Sequence, residues 1–102
     1  MFDSGVDGPT VLFRAELDAL PIQEHSSNPW ASQIMGKGHM CGHDGHMMFL
    51  LALGRIISRT PVARGRVVLM FQPSEEDGAG ARAVVSDAIY DEIRPDLSLI
   101  HI

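Results

Sequence analysis

The sequence predicts an α/β domain, with a mostly parallel or mixed sheet flanked by helices. Three observations point there. Short apolar, β-prone runs recur at Thr10 to Phe13, Arg66 to Phe71 and Leu97 to Ile102. Segments of roughly helical spacing stand between the later runs, and turn-forming residues separate the pieces. With 102 residues, 45% hydrophobic and 21% charged, the chain suits one compact domain at most.

Gly8-Pro9 precedes the first run, which reads as a buried strand leading into Arg14-Ala15-Glu16-Leu17-Asp18-Ala19-Leu20-Pro21. Residues Gln23 to Lys37 hold Ser26, Ser27, Asn28, Pro29 and Gly36 without a clean period and predict a loop. After Gly45, the residues Met47, Met48, Phe49, Leu50, Leu51, Leu53, Ile56 and Ile57 wrap a broad face at helical spacing. That pattern predicts a largely buried helix ending before Thr60-Pro61. The continuous apolar run Arg66 to Phe71 predicts a strand covered on both faces, stopped by Pro73. Gly78 to Ile93 predicts a second helix closed by Pro95, and Leu97 to Ile102 a last strand. In open α/β sheets, ligands gather outside the carboxyl ends of strands. Glu16 and Asp18, Glu75 and Glu76, and His101 all fall at or near such ends.

Composition excludes some partners. Thirteen acidic against eight basic residues give a formal net charge of −5, whereas phosphate binding needs clustered Lys and Arg, so no nucleic acid is expected. The longest strongly apolar stretch, Met47 to Leu53, is too short to span a bilayer, so no membrane partner is expected. The single cysteine, Cys41, permits no intramolecular disulfide, and Met1 to Gly8 lacks the basic-then-apolar order of a signal peptide. Both features lead to the expectation of a cytoplasmic protein.

Chemistry concentrates around Cys41. His39, His43 and His46 are three of the five histidines, and with Cys41 they place four potential donors within eight residues. Thiolate and imidazole are preferred ligands of zinc and similar ions. A buried thiol beside surface histidines is the plainer reading for a single histidine, but four donors favour a metal site. Cys41 and His43, two apart, would not share a face of a regular helix. A site using both would sit on the turn before the helix, where Gly42 and Gly45 free the backbone and helix-start amides would stabilise a thiolate. Glu75-Glu76 reads as a metal ligand beside a general base, or as a solvated loop after a strand. Asp18 and Asp44 each read as a carboxylate orienting a ligand histidine, or as a cap on a turn. His101, in an apolar strand, is on its own more simply a satisfied core histidine.

Taken in order, Arg14-Ala15-Glu16-Leu17-Asp18-Ala19-Leu20-Pro21-Ile22, His39-Met40-Cys41-Gly42-His43-Asp44-Gly45-His46 and Phe71-Gln72-Pro73-Ser74-Glu75-Glu76 resemble the M20 metallopeptidase superfamily. The match is to its amidohydrolase branch, which includes hippurate, N-acyl-amino-acid and auxin-conjugate hydrolases. The resemblance runs from about Pro9 to His101. It implies two divalent ions, zinc or manganese with cobalt as a third option, bridged by water. By position, Cys41, His43, Glu76 and His101 resemble the metal ligands, Glu75 the general base, and Asp18 the aspartate that orients a ligand histidine. The implied reaction is hydrolysis of the amide bond of an N-acyl amino acid or similar small amide by metal-activated water. Glu75 would take the proton and deliver it to the leaving amine.

In this branch Glu16 is often aspartate and Met40 often alanine, and the residues flanking the last histidine differ from Ile100 and Ile102. The family also supplies a further histidine ligand from far downstream, and a lid domain that mediates dimerisation. Residues 1–102 are therefore expected to form the centre of a catalytic domain, whose full-length form is a homo-oligomer. Two other readings stand beside the enzyme: a metal-binding fragment without turnover, and a structural or interaction domain whose Cys and His are incidental.

Overall fold

The computed structural model describes residues 1–100. Along the chain run β1 (Phe2–Asp3), β2 (Thr10–Glu16), α1 (His43–Arg59), β3 (Arg66–Gln72), α2 (Ala79–Ser86), α3 (Ile89–Ile93) and β4 (Leu97–Ile100). Among the described residues these strands form one mixed sheet in the order β1-β3-β2-β4. β2 pairs parallel with β3 from Thr10↔Arg66 to Glu16↔Gln72, and parallel with β4 from Val11↔Leu97 to Arg14↔Ile100. β1 adds an antiparallel edge through Phe2↔Val67. The carboxyl ends of β2, β3 and β4 therefore point the same way.

Helices cover both faces. Gly54 of α1 lies against Leu69 and Phe2, so α1 covers the face that carries Leu69. Arg66, on the opposite face by strand alternation, donates from Nη1 to the Glu92 carbonyl of α3 at 3.1 Å. The core is Leu12, Ala15, Leu50, Ile57 and Val68, drawn from α1 and from β2 and β3, the two strands flanked on both sides. Buried Thr10 is satisfied: its amide donates to Asp96 Oδ2 at 2.7 Å, and its hydroxyl accepts from Arg66.

The structure departs from the sequence-based expectations in four places. The helix expected after Gly45 begins at His43, and it is not largely buried: only His43, Leu50 and Ile57 are, while Met48, Phe49, Leu51 and Ile56 are exposed. The expected helix over Gly78 to Ile93 is divided at Asp87-Ala88. There Asp87 Oδ1 accepts from the Ile89 amide at 2.9 Å and its carbonyl from the Tyr90 amide at 2.9 Å. A side chain that caps the backbone in this way competes with continuing the helix. β3 is only partly covered rather than buried on both faces. β1 was not expected, because two residues carry no readable period. The last strand is described as far as Ile100, so the part of that expectation on His101 and Ile102 lies outside the described residues. Among the described residues no helix is long and apolar enough to cross a membrane.

The turn after β3 depends on close backbone packing. A Cβ on Gly80 would stand 1.7 Å from the Pro73 carbonyl oxygen. Gly80→Ala is expected to lower stability by about 1–3 kcal/mol, read from the midpoint of urea denaturation, because backbone rather than a flexible side chain must move.

Candidate metal centre

Three segments meet at the carboxyl end of the sheet. The first is the stretch leaving β2, where Leu17 continues the ladder by donating its amide to the Gln72 carbonyl at 2.8 Å. Asp18 follows directly. Its Oδ2 accepts the amides of Glu75 at 2.9 Å and Glu76 at 3.1 Å, tying the segment after β3 to the segment after β2.

The second segment enters α1. Gly42 occupies the helix N-cap in the left-handed region at φ 87°, a conformation that a side chain would resist. That reversal leaves Cys41 in the turn and makes His43 the first helical residue. A site using both residues was expected on the turn before the helix; Cys41 lies there, whereas His43 is already the first residue of the helix. The long loop before it is anchored by a bridge between Leu20 and Gly38. Gln23 Oε1 accepts the Gly36 amide and Glu24 Oε2 the Ser32 amide across the same loop.

The third segment is Pro73 to Glu76. Ser74 holds φ 52°, the one non-glycine positive φ among the described residues, and its carbonyl accepts the Gly80 amide at 2.9 Å. Left-handed non-glycine backbone costs of order 1–3 kcal/mol and persists only where surrounding contacts fix it. Here it sits immediately before the two glutamates.

These segments converge on His43, which is 3% exposed. Its Nδ1 lies 3.0 Å from the Asp18 carbonyl oxygen and 3.3 Å from Asp18 Oδ1. A carbonyl oxygen can only accept, so Nδ1 carries the hydrogen and Nε2 presents its lone pair. Nε2 in turn lies 3.8 Å from Glu75 Oε2 and 3.8 Å from Glu76 Oε1. Ligand atoms of Cys41, His43 and Glu76 all fall within 4.8 Å of one another. An imidazole lone pair, a sulfur and carboxylate oxygens thus face one small volume, and none of them is a strong donor to the others. A soft and borderline donor set of this kind fits a divalent transition ion such as zinc.

The electrostatics point the same way. Burial alone would raise the Asp18 carboxyl. The amides of Glu76, Asp18 itself and Glu75, together with electrostatic attraction to His43, outweigh it and hold the group below its ordinary range. The Cys41 thiol is pushed up by its hydrogen bond to Glu76, by desolvation, and by the charges of Glu76, Glu75 and Glu16. This corrects the expectation that helix-start amides would stabilise its thiolate. The carboxylates dominate, and a cation among them is what would favour the thiolate.

Of the residues singled out by sequence, Asp18, Cys41, His43, Glu75 and Glu76 are brought together, while His101 lies outside the described residues. His39 and Asp44 are exposed, and neither belongs to a potential ligand group among the described residues. Asp44 stands in the first turn of α1, where a negative charge favours the helix dipole. His46 groups with Glu16 and His43 rather than with Cys41, and its Nδ1 lies 3.1 Å from Glu16 Oε2. Sequence reasoning placed Glu16 at a strand end but gave it no role. Its signal was a carboxylate two residues before Asp18.

A mixed α/β sheet with a cation-fitting donor cluster at the carboxyl end of its parallel strands defines the class. The chain belongs to peptidase family M20/M25/M40, whose profile matches residues 12–102. It is 44% identical over 86 residues to IAA-amino acid hydrolase ILR1-like 6 of Arabidopsis thaliana, covering 83% of this chain and 18% of that protein. It is 42% identical over 88 residues to N-acetyl-L-cysteine deacetylase of Bacillus subtilis, covering 85% of this chain and 21% of that one. The crystal structure of a dinuclear metal-binding M20 peptidase from Bacillus subtilis superimposes with a TM-score of 0.84 at 36% identity. That superposition covers 97% of this chain and 27% of the other. The chain spans about a fifth of the length of these curated relatives.

Asp18→Asn would set an amide N–H against the Nδ1–H of His43. Zinc affinity, measured by chelator competition, is expected to fall about ten- to hundredfold. Because the folded carboxyl is held low, its contribution to stability is complete above about pH 4 and is lost as pH falls through the folded value. The denaturation midpoints of wild type and Asp18→Asn should therefore converge at the acid end.

Proposed function

We propose that this chain carries the metal cluster and general base of an amidohydrolase acting on N-acyl amino acids or similar small amides. The observation that carries the reading is the convergence of Cys41, His43 and Glu76, with a second carboxylate, Glu75, 3.8 Å from His43 Nε2. The names of the relatives, an amino-acid-conjugate hydrolase and an N-acetylcysteine deacetylase, support amide cleavage next to an amino acid.

In this reading Cys41, His43 and Glu76 hold metal, joined by His101, which lies outside the described residues. Two divalent ions such as zinc, manganese or cobalt, when bound, supply a Lewis acid for the amide carbonyl and lower the pKa of water. Asp18 keeps Nε2 of His43 free to serve as a ligand, and through Oδ2 it fixes the backbone beneath both glutamates. The Glu75 side chain is 39% exposed, so water and substrate can reach it. Its carboxylate accepts a proton from the attacking water and returns it to the leaving nitrogen as the C–N bond breaks.

A second reading, a metal-binding portion without turnover, is favoured by bare apolar surface. Met48, Phe49, Leu51 and Ile56 on α1 and Leu97, Leu99 and Ile100 on β4 are exposed, as expected for the centre of a larger catalytic domain. Both readings are tested by assaying metal content and N-acetyl amino acid hydrolysis together. Glu75→Gln is expected to lower turnover about 10²- to 10⁴-fold while metal content holds. Hydrolysis that survives within a few-fold would remove the assigned base, and metal without any turnover in the wild-type chain would establish the second reading.

A further inference from the structure

One buried carboxyl group is left unused by the proposed reaction. Glu16, at the end of β2, has a fully buried side chain paired with Arg14. Its Oε1 accepts from Arg14 Nη2 at 3.0 Å, and Arg14 Nη1 donates to Oε1 of buried Gln72 on β3 at 3.0 Å. Its Oε2 lies 3.1 Å from His46 Nδ1. A buried carboxylate is costly unless paired and hydrogen-bonded, and both conditions are met by Arg14 of β2 and His46 of α1.

The placement repeats a pattern. Asp18 and Glu16, two residues apart at the end of β2, engage the Nδ1 atoms of His43 and His46, three residues apart in the first turn of α1. The two rings lie 5.8 Å apart, tilted by 34°. Asp18 grips the proposed ligand itself, and Glu16 grips its helical neighbour. Arg14 and Gln72 extend the second grip to β3, the strand that delivers Glu75 and Glu76.

Ligand atoms of Glu16, His43 and His46 also lie within 4.8 Å of one another, which invites a reading as a further cation site. The Arg14 guanidinium argues against it. Its positive charge already balances Glu16, and His46 Nδ1 is engaged with the remaining oxygen.

We propose that Glu16 is a positioning residue of the metal centre: through His46 it fixes the first turn of α1, and so His43, relative to Asp18 and the two glutamates. The inference rests on the reading of Cys41, His43 and Glu76 as a metal centre. The two differ in what would overturn them.

The test uses cobalt(II) as probe, titrated into the intact chain and followed by its visible absorption bands. Glu16→Gln keeps the shape and an oxygen for Arg14 but turns an amide N–H toward His46 Nδ1. It is expected to bind cobalt about ten- to hundredfold more weakly, with displaced bands. His46→Asn, which can still donate from the Nδ1 position, is expected to stay close to wild type, whereas His46→Gln, which places its amide nearer the Nε2 position, is expected to behave like Glu16→Gln. Leu50→Ala, a core truncation on the same helix, should lower stability and leave the bands in place. Wild-type affinity and bands in Glu16→Gln would overturn the proposal alone, as would equal behaviour of the two His46 variants. Loss of one whole equivalent of cobalt with the remaining bands unchanged would make Glu16 a ligand and overturn it too. Failure of the wild-type chain to bind cobalt would remove the centre itself, and this inference with it.

Discussion

Everything at the carboxyl end of the sheet hangs on the Asp18 carboxylate. Two backbone amides, of Glu75 and Glu76, point at its Oδ2, while its carbonyl and Oδ1 stand against Nδ1 of His43. Oδ1 is buried and accepts no hydrogen bond among the described residues, so its approach to the imidazole is what offsets its desolvation. One residue thereby ties together two loops and a helix start, and its backbone carbonyl fixes the hydrogen on Nδ1 of the histidine. Asp18 thus touches the proposed ligands His43 and Glu76, although it is not itself among them.

The rest of the fold makes that arrangement available. Parallel pairing of β2 with β3 brings Glu16 level with Gln72, so the segments leaving the two strands emerge side by side. The left-handed turns at Gly42 and Ser74 then bend the following backbone back over the strand ends. Gly80, with no room for a side chain, lets α2 begin against Pro73 and Ser74. What results is a volume faced by sulfur, an imidazole lone pair and carboxylates, with no cation of the chain itself described among them. The guanidinium of Arg14 is hydrogen-bonded to Glu16 and Gln72. Such a lining has low energy when a metal ion occupies it and suffers mutual repulsion when none does.

Much of this was legible in the sequence. The β-prone runs around Leu12 and Val68 located β2 and β3, because a buried parallel strand is apolar throughout. Asp18 and Glu75-Glu76 were legible at strand ends, and the Cys41–His46 cluster on a turn before a helix. Tertiary context decided the remainder. The apolar spread of α1 promised burial, yet Phe49 and Ile56 are bare, since periodicity reports which residues could be covered and not whether a covering element is present. Asp87 broke a helix that its neighbours would have continued, through a local hydrogen bond that periodicity does not register. The pairing of His46 with Glu16 rather than with Cys41 depends on where β2 ends relative to the first turn of α1, and no spacing within one segment encodes it. The raised thiol of Cys41 likewise reflects carboxylates brought in from two other segments.

The central claim is that Cys41, His43 and Glu76 together bind one metal ion. X-ray absorption at the zinc edge, on the zinc-loaded chain, tests it most directly, because sulfur and lighter donors scatter differently. The account predicts a sulfur scatterer in the zinc shell alongside nitrogen and oxygen, lost in Cys41→Ser while imidazole scattering persists. A shell of nitrogen and oxygen alone, unchanged by Cys41→Ser, would contradict it.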